Sequence, residues 1–204
     1  MLGSCTSDKR TDSAAVRKEI ENRKIIKVTE AEIVNKVHEL GKSIALSTKK
    51  TLGRNLQNSL QNGGVESAIS FCNLVAMPLV DSLSHIFNTE IKRVSLKARN
   101  PNNIPNDLER KILEAYEFLW KDSIPLQTNV QPLVENRYLF TKPILIENAM
   151  CITCHGSAEN GMLKETEDFI KSKYPDDKAT GYHIGDFRGM WSITFSKKMV
   201  VQSF

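Results

Sequence analysis

The chain has 204 residues, of which 40% are hydrophobic and 25% are charged, and its formal net charge is +4. This length suits one well-buried domain and is short for two. The basic residues are scattered among acidic ones rather than gathered in a stripe, which argues against a nucleic-acid partner. No run of about 18 apolar residues predicts a membrane-spanning helix.

A short motif near the start, LGSC at residues 2–5, resembles the end of a bacterial lipoprotein signal. In such signals the cysteine is lipidated and becomes the mature N-terminus, and a polar tether follows it. We therefore expect lipid anchoring to a membrane through Cys5, a polar tether over residues 1–28 and one domain over residues 29–204. A chance occurrence of the four residues is the alternative.

Two helices are predicted in the first half of the domain. Apolar residues recur at helical spacing from about Thr29, which forms a capping box with Glu32, as far as the glycines at 63–64. A second helix is expected from about Val65, with Pro78 bending or ending it. The residues expected on its buried face are Ala68, Cys72, Val75 and Leu79.

The second half of the domain predicts a mixture of strands and short helices. Residues 99–105 contain two prolines and three asparagines and are expected to form a turn-rich loop. Asn106 and Glu109 cap a helix whose predicted buried face is Leu108, Ile112, Ala115, Tyr116 and Leu119. Strands are predicted over 90–98, 126–134, 137–146 and 190–196. This order of elements indicates an α+β fold with an antiparallel sheet.

One five-residue segment, CITCH at 151–155, fits the pattern CxxCH. Two thiols one helical turn apart can add to the two vinyl groups of one porphyrin, and the following histidine then offers an imidazole nitrogen to the iron. We therefore predict one covalent haem c, held by Cys151 and Cys154 with His155 as an iron ligand. A redox CxxC pair, half of a zinc site and a structural disulfide are alternatives. Neither the redox pair nor the disulfide accounts for His155, and no second CxxC or histidine-rich pair completes a zinc site.

The residues alone leave the second axial ligand of the iron open. The candidates are Cys72, Met77, His85, His183 and the more distant His38, and an iron without a second protein ligand is the remaining alternative. Cys72 lies on an apolar helix face, where a small buried hydrophobic side chain is the ordinary interpretation. His183 lies in a glycine-flanked loop and Met77 precedes a proline, so either side chain could reach the iron.

Several segments between about residues 30 and 200 match one known pattern together. They are AISFC at 68–72, KRVSLKARNPNN at 92–103, Pro143-Ile144, CITCHG at 151–156, Gly181-Tyr182 and GDFRG at 185–189. In this order they resemble the PAS-like single-haem c-type domain found in bacterial and cyanobacterial secreted proteins and sensor kinases. The resemblance implies a PAS-like antiparallel sheet with long N-terminal helices. It also implies iron ligation by His155 and by a helix-borne cysteine, which by position is Cys72.

A thiolate ligand stabilises ferric iron, so the resemblance further implies a low reduction potential and a bond that loosens on reduction. Arg93, Lys97 and Arg99 are expected to supply cations to the haem propionates, and solvated surface charges are the alternative. These features predict a redox sensor or a sensor of a diatomic gas such as nitric oxide, and not an enzyme. An electron-transfer cytochrome with a redox partner is the alternative, and a peroxidase using His183 is a third hypothesis.

Covalent haem attachment takes place outside the cytoplasm in bacteria. We therefore expect an exported protein in the periplasm or another extracytoplasmic location. Lipid anchoring at Cys5 would agree with that location.

Overall fold

The computed structural model describes residues 28–204 together with Ser13 and Arg17. Cys5 and most of the predicted tether lie outside the described residues, so lipidation and the domain boundary at residue 28 stay predictions. In chain order the elements are α1 (Glu30–Leu74), α2 (Ala76–Phe87), β1 (Glu90–Val94), a 3-10 turn (Pro101–Asn103), α3 (Asp107–Lys121), β2 (Asn129–Leu133), β3 (Arg137–Leu145), α4 (Ala149–His155), α5 (Lys164–Lys173), β4 (Phe187–Ser196) and α6 (Lys197–Gln202).

The four strands of the described chain form one antiparallel sheet in the order β1-β4-β3-β2. The last strand, β4, lies between β1 and β3, and its Ile193 is paired with Ile91 on one side and Phe140 on the other. Glu135 and Asn136, both at positive φ, form the tight turn between β2 and β3. This arrangement of helices and an antiparallel sheet confirms the predicted α+β class.

Helix α1 packs against the sheet through the apolar face that its sequence predicts. The capping box of Thr29 and Glu32 is present, and Ile33, Val37 and Ile44 are buried. At Gly41 the helix backbone approaches the sheet so closely that a Cβ atom there would overlap the buried Phe140 ring. The main core therefore lies between α1 and the sheet, and it continues to α2 and α6.

A kink divides α1 at Gly63 and Gly64, where the sequence predicts the first helix to end. Gly64 has φ 67° and ψ −165°, a conformation that side-chain-bearing residues adopt only with strain. The part beyond the kink, which we name the Cys72 segment (residues 65–74), ends at a second break. This break lies at Val75, one turn before Pro78, because proline lacks the N–H that would continue the helix. Val75 was predicted to be buried, but at this break it is 48% exposed.

Further boundary and facing predictions are wrong, among them the start of β4, which lies at Phe187 and not at residue 190. Strand β1 ends at Val94 and not at residue 98, because the N–H of Ser95 donates to the carbonyl of Asn103 and the chain turns away from the sheet. Strand β2 begins at residue 129 and not at 126. On α3, Leu108 and Ala115 are exposed along a groove beside residues 125–131, and Leu113 is buried instead.

No single helix in the described part of the chain is long and apolar enough to span a membrane. Only as a pair, bent by 48° where they meet, do α1 and α2 have the length and apolar composition that a membrane span requires.

Candidate functional site

The CxxCH motif forms the short helix α4. Asn148 caps this helix, since its side chain accepts a hydrogen bond from the N–H of Cys151. The buried side chain of Ile152 fixes the helix against the protein. Because the segment is helical, Cys151 and Cys154 lie one turn apart, and His155 is the last residue of the helix. Both cysteines are half-buried, and neither takes part in a disulfide.

The imidazole of His155 is fixed by one hydrogen bond. Its Nδ1 donates to the carbonyl oxygen of Ala179 at 2.7 Å, which leaves Nε2 as the nitrogen that can bind a metal. Two backbone hydrogen bonds, from Tyr182 to His155 and from Gly181 to Gly156, join the end of α4 to the same loop. The Tyr182 ring packs edge-on against the imidazole.

Burial holds the pKa of His155 well below its ordinary value, and the charges of Arg188 and Arg99 lower this pKa further. The hydrogen bond to Ala179 acts in the opposite direction but is the weaker influence. The imidazole is therefore neutral at physiological pH, as a metal ligand must be.

Arg99 links the CxxCH helix to the 177–182 loop. Its Nη2 atom donates to the carbonyl of Cys154 at 2.6 Å, to the carboxylate of Asp177 at 3.0 Å and to the carbonyl of Ala179 at 3.2 Å. The other carboxylate oxygen of Asp177 accepts from the N–H of Ala179 at 2.8 Å. The side chains of Arg99 and Asp177 are only 11% and 5% exposed. One buried ion pair thus ties α4 to the loop that orients His155.

Cys72 lies beside this motif although it comes from α1. Its thiol is half-buried and close enough to Arg93, Arg99 and Cys154 for their charges to influence one another. Burial raises the pKa of the Cys72 thiol, and the charges of the two arginines oppose that shift. The Cys72 segment packs through Ile69 onto α5 and the Cys154 side chain. The structure therefore brings the predicted second ligand and the CxxCH helix together.

Three arginine side chains surround these groups. Arg93, Arg99 and Arg188 all lower the pKa of His155 through their charge. Arg188 donates from Nη1 to the Ser95 hydroxyl at 2.6 Å and to the Lys97 carbonyl at 3.0 Å. In the described residues, the Arg99 bond to Asp177 is the one ion pair that any of the three makes with a carboxylate. The buried Nε atoms of Arg93 and Arg99 have no hydrogen-bond partner. The site is thus strongly cationic.

The sequence prediction gives no role to Arg188, Tyr174 or Asp177, although all three lie at the site. Arg188 lies in the GDFRG segment, which matches the family pattern but does not by itself indicate what its arginine does. Tyr174 is buried near Cys72, and burial together with the Cys72 charge raises the pKa of Tyr174 to about 12. A lone tyrosine after a short helix carries no pattern that could have identified it.

The other predicted residues occupy different surroundings. The Lys97 ammonium lies 5.4 Å from the centre of the Tyr182 ring, near the surface. The side chain of His183 is 73% exposed and lies beside Asp186. His38 Nε2 forms a hydrogen bond with the Thr128 hydroxyl, and its ring packs edge-on against Phe140 of the main core. His85 is exposed on α2, and Met77 is half-buried in the first turn of that helix.

Within the described ranges, no three His, Cys, Asp or Glu side chains come together as a site for a metal ion. The half zinc site considered for CxxC therefore receives no support from its surroundings. His155 and Cys72 instead share two neighbouring arginines, since Arg93 and Arg99 act on both side chains through their charge.

Comparisons with known proteins agree with this architecture. The Tll0287-like family matches residues 12–196 of the chain. Among solved structures, the crystal structure of the cyanobacterial heme-protein Tll0287 is similar, with 26% sequence identity and a TM-score of 0.52, and the match covers 78% of this chain and 95% of that one. No curated protein matches. Because the family match extends over most of the sequence, this chain belongs to the Tll0287-like family.

Proposed function

We propose that this protein carries one covalent haem c, bound through thioethers to Cys151 and Cys154, with His155 and Cys72 as the iron ligands. The observation that supports it best is the packing of the Cys72 segment, through Ile69, against the Cys154 side chain. Cys72 also shares the influence of Arg93 and Arg99 with His155. The solved relative is a heme-protein, which supports the same cofactor here. We further propose that the sheet and its long N-terminal helix form a PAS-like domain.

The side chains around the motif fit a haem. A neutral imidazole with a free Nε2 and a nearby thiol can bind an iron from two sides. A cluster of buried hydrophobic residues packs beside each cysteine. The cluster beside Cys154 consists of Ile69, Met162, Ile170 and Tyr174. The cluster beside Cys151 consists of Ile146, Ile152, Ala179 and Tyr182. The unpartnered Nε atoms of Arg93 and Arg99 are donors that a propionate carboxylate would satisfy.

A bound haem supplies a one-electron redox couple and an iron that can take a diatomic gas. Cys72 is the residue we propose to respond, because a thiolate ligand stabilises ferric iron and is held less firmly once the iron is reduced. The Cys72 segment lies between the kink at Gly64 and the break at Val75. If a bound iron released Cys72, these two breaks would allow the ten residues to move separately from the rest of α1. We accordingly propose a redox or diatomic-gas sensor and not an enzyme.

The location belongs to the same proposal. Bacterial haem attachment to CxxCH occurs outside the cytoplasm, so we propose an exported, periplasmic protein. A lipid at Cys5 would hold it at a membrane surface.

Absorption spectra of the ferric and ferrous protein, recorded with and without nitric oxide, test the sensor proposal. We expect a thiolate-ligated spectrum in the ferric state, loss of that signature on reduction, and rapid binding of nitric oxide to the ferrous protein. An iron that keeps both ligands through reduction and takes up no gas would contradict sensing. If that iron also exchanged electrons rapidly with a redox partner, the electron-transfer alternative would replace it.

A further inference from the structure

We infer that Arg99 and Asp177 form a positioning pair that sets the electron-donor strength of His155, and thereby the reduction potential of the haem. The inference rests on the proposed function, since it needs His155 as an iron ligand. It gives the Nη2 atom of Arg99 a role on the imidazole side of the site, besides the propionate contact proposed for its Nε atom.

The pair acts through one carbonyl oxygen. The Ala179 carbonyl accepts from His155 Nδ1 at 2.7 Å and also from the Arg99 guanidinium at 3.2 Å. A carbonyl that accepts from a cation has less electron density to offer a second donor, so it pulls less on the imidazole proton. Hydrogen-bond partners of a ligating histidine control its basicity in this way. Arg99 therefore weakens the electron donation of His155 to the iron.

Asp177 opposes this effect. Its carboxylate accepts from the Arg99 guanidinium at 3.0 Å and withdraws part of the charge that would otherwise act on the Ala179 carbonyl. Its other oxygen accepts from the Ala179 N–H, which fixes the backbone immediately before the Ala179 carbonyl. Both side chains are almost fully buried, so solvent screens their charges only weakly.

The two residues should therefore shift the potential in opposite directions. Loss of the Arg99 charge strengthens the His155 to Ala179 hydrogen bond and removes a cation near the iron, and both changes favour ferric iron. Loss of the Asp177 charge leaves Arg99 uncompensated and favours ferrous iron. A purely structural role would give shifts of one sign, because either variant would only loosen the loop.

The test is a spectroelectrochemical titration of the haem-loaded protein and of Arg99→Gln, Asp177→Asn and the double variant. We expect a lower midpoint potential for Arg99→Gln and a higher one for Asp177→Asn, each by about a tenfold change in the reduction equilibrium, or 59 mV for one electron. The double variant should lie between the two. The control is Arg110→Gln, which removes the same charge from an exposed position on α3 and should leave the potential unchanged.

Shifts of the same sign in Arg99→Gln and Asp177→Asn, or shifts no larger than that of Arg110→Gln, would overturn the inference. Ferric EPR spectra must show that each variant keeps the wild-type ligand set. If Arg99→Gln fails to retain haem, Arg99→Lys takes its place, and it should stay closer to the wild-type potential than Asp177→Asn. Wild-type protein without covalent haem would contradict the proposed function itself.

Discussion

The thiols of Cys151 and Cys154 lie one helical turn apart on α4. This helix is capped by Asn148 and anchored by the buried Ile152. We predict that Cys151→Ala and Cys154→Ala each reduce covalent haem, and that the double variant abolishes it. Haem staining after denaturing electrophoresis and intact mass measure this directly. Cys72→Ala is the matched control, because it removes a cysteine that we expect to bind iron and not porphyrin. Covalent haem in the double variant would show that the motif has another role.

The residues of the site differ in how far the sequence could predict them. Cys151, Cys154 and His155 lie within five residues, so their spacing alone indicates the chemistry. Arg99 donates to carbonyl groups 55 and 80 residues further along the chain, and carbonyl groups leave no trace in a sequence. Cys72 was indicated only by resemblance to a family, because a cysteine on an apolar helix face ordinarily fills space.

Among the secondary-structure elements, the long helix α1 contains two glycines, Gly41 and Gly53, that differ in how closely other atoms pack around them. Gly41→Ala should destabilise the protein by about 1–3 kcal/mol, because its Cβ would overlap the Phe140 ring in the core. Gly53→Ala is the matched control on the same helix, where nothing lies within 4 Å of the added atom. It should stabilise the protein by up to about 1 kcal/mol through the better helix propensity of alanine. Urea unfolding of both variants measures the difference.

The kink of α1 provides a second test at this scale. Gly64→Ala would force a side chain into φ 67° and ψ −165°, which costs on the order of 1–3 kcal/mol. We expect lower stability by urea unfolding and, since the kink sets where the Cys72 segment lies, an altered ferric spectrum. Gly53→Ala again serves as the control. A Gly64→Ala protein with wild-type stability and spectrum would show that the kink does not position Cys72.

Element boundaries were predictable where side chains determine them. The capping boxes at Thr29 and Asn106 define helix starts from local sequence, and both are present. The end of β1 could not be predicted, because it depends on a hydrogen bond from Ser95 to the carbonyl of Asn103. The buried face of α3 was rotated in the prediction, since Leu108 is apolar but borders an open groove.

For the whole molecule, the α+β class followed from the order of elements, but the sheet topology did not. Strand β4 is last in sequence and yet lies between β1 and β3. That position places Arg188, at the start of β4, near the CxxCH helix. The site is therefore a product of the complete fold, in which α1, the β1 region, α4 and β4 each contribute side chains.

Low-spin ferric EPR of the wild-type protein beside Cys72→Ala tests the central claim most directly, which is that one haem links α4 to α1 through the iron. We predict a thiolate-ligated signal in the wild type, and its replacement in the variant by the signal of a histidine-ligated haem without that ligand. Covalent haem should remain in both. Identical spectra from the two proteins would contradict the claim and would return the second ligand to His183 or Met77.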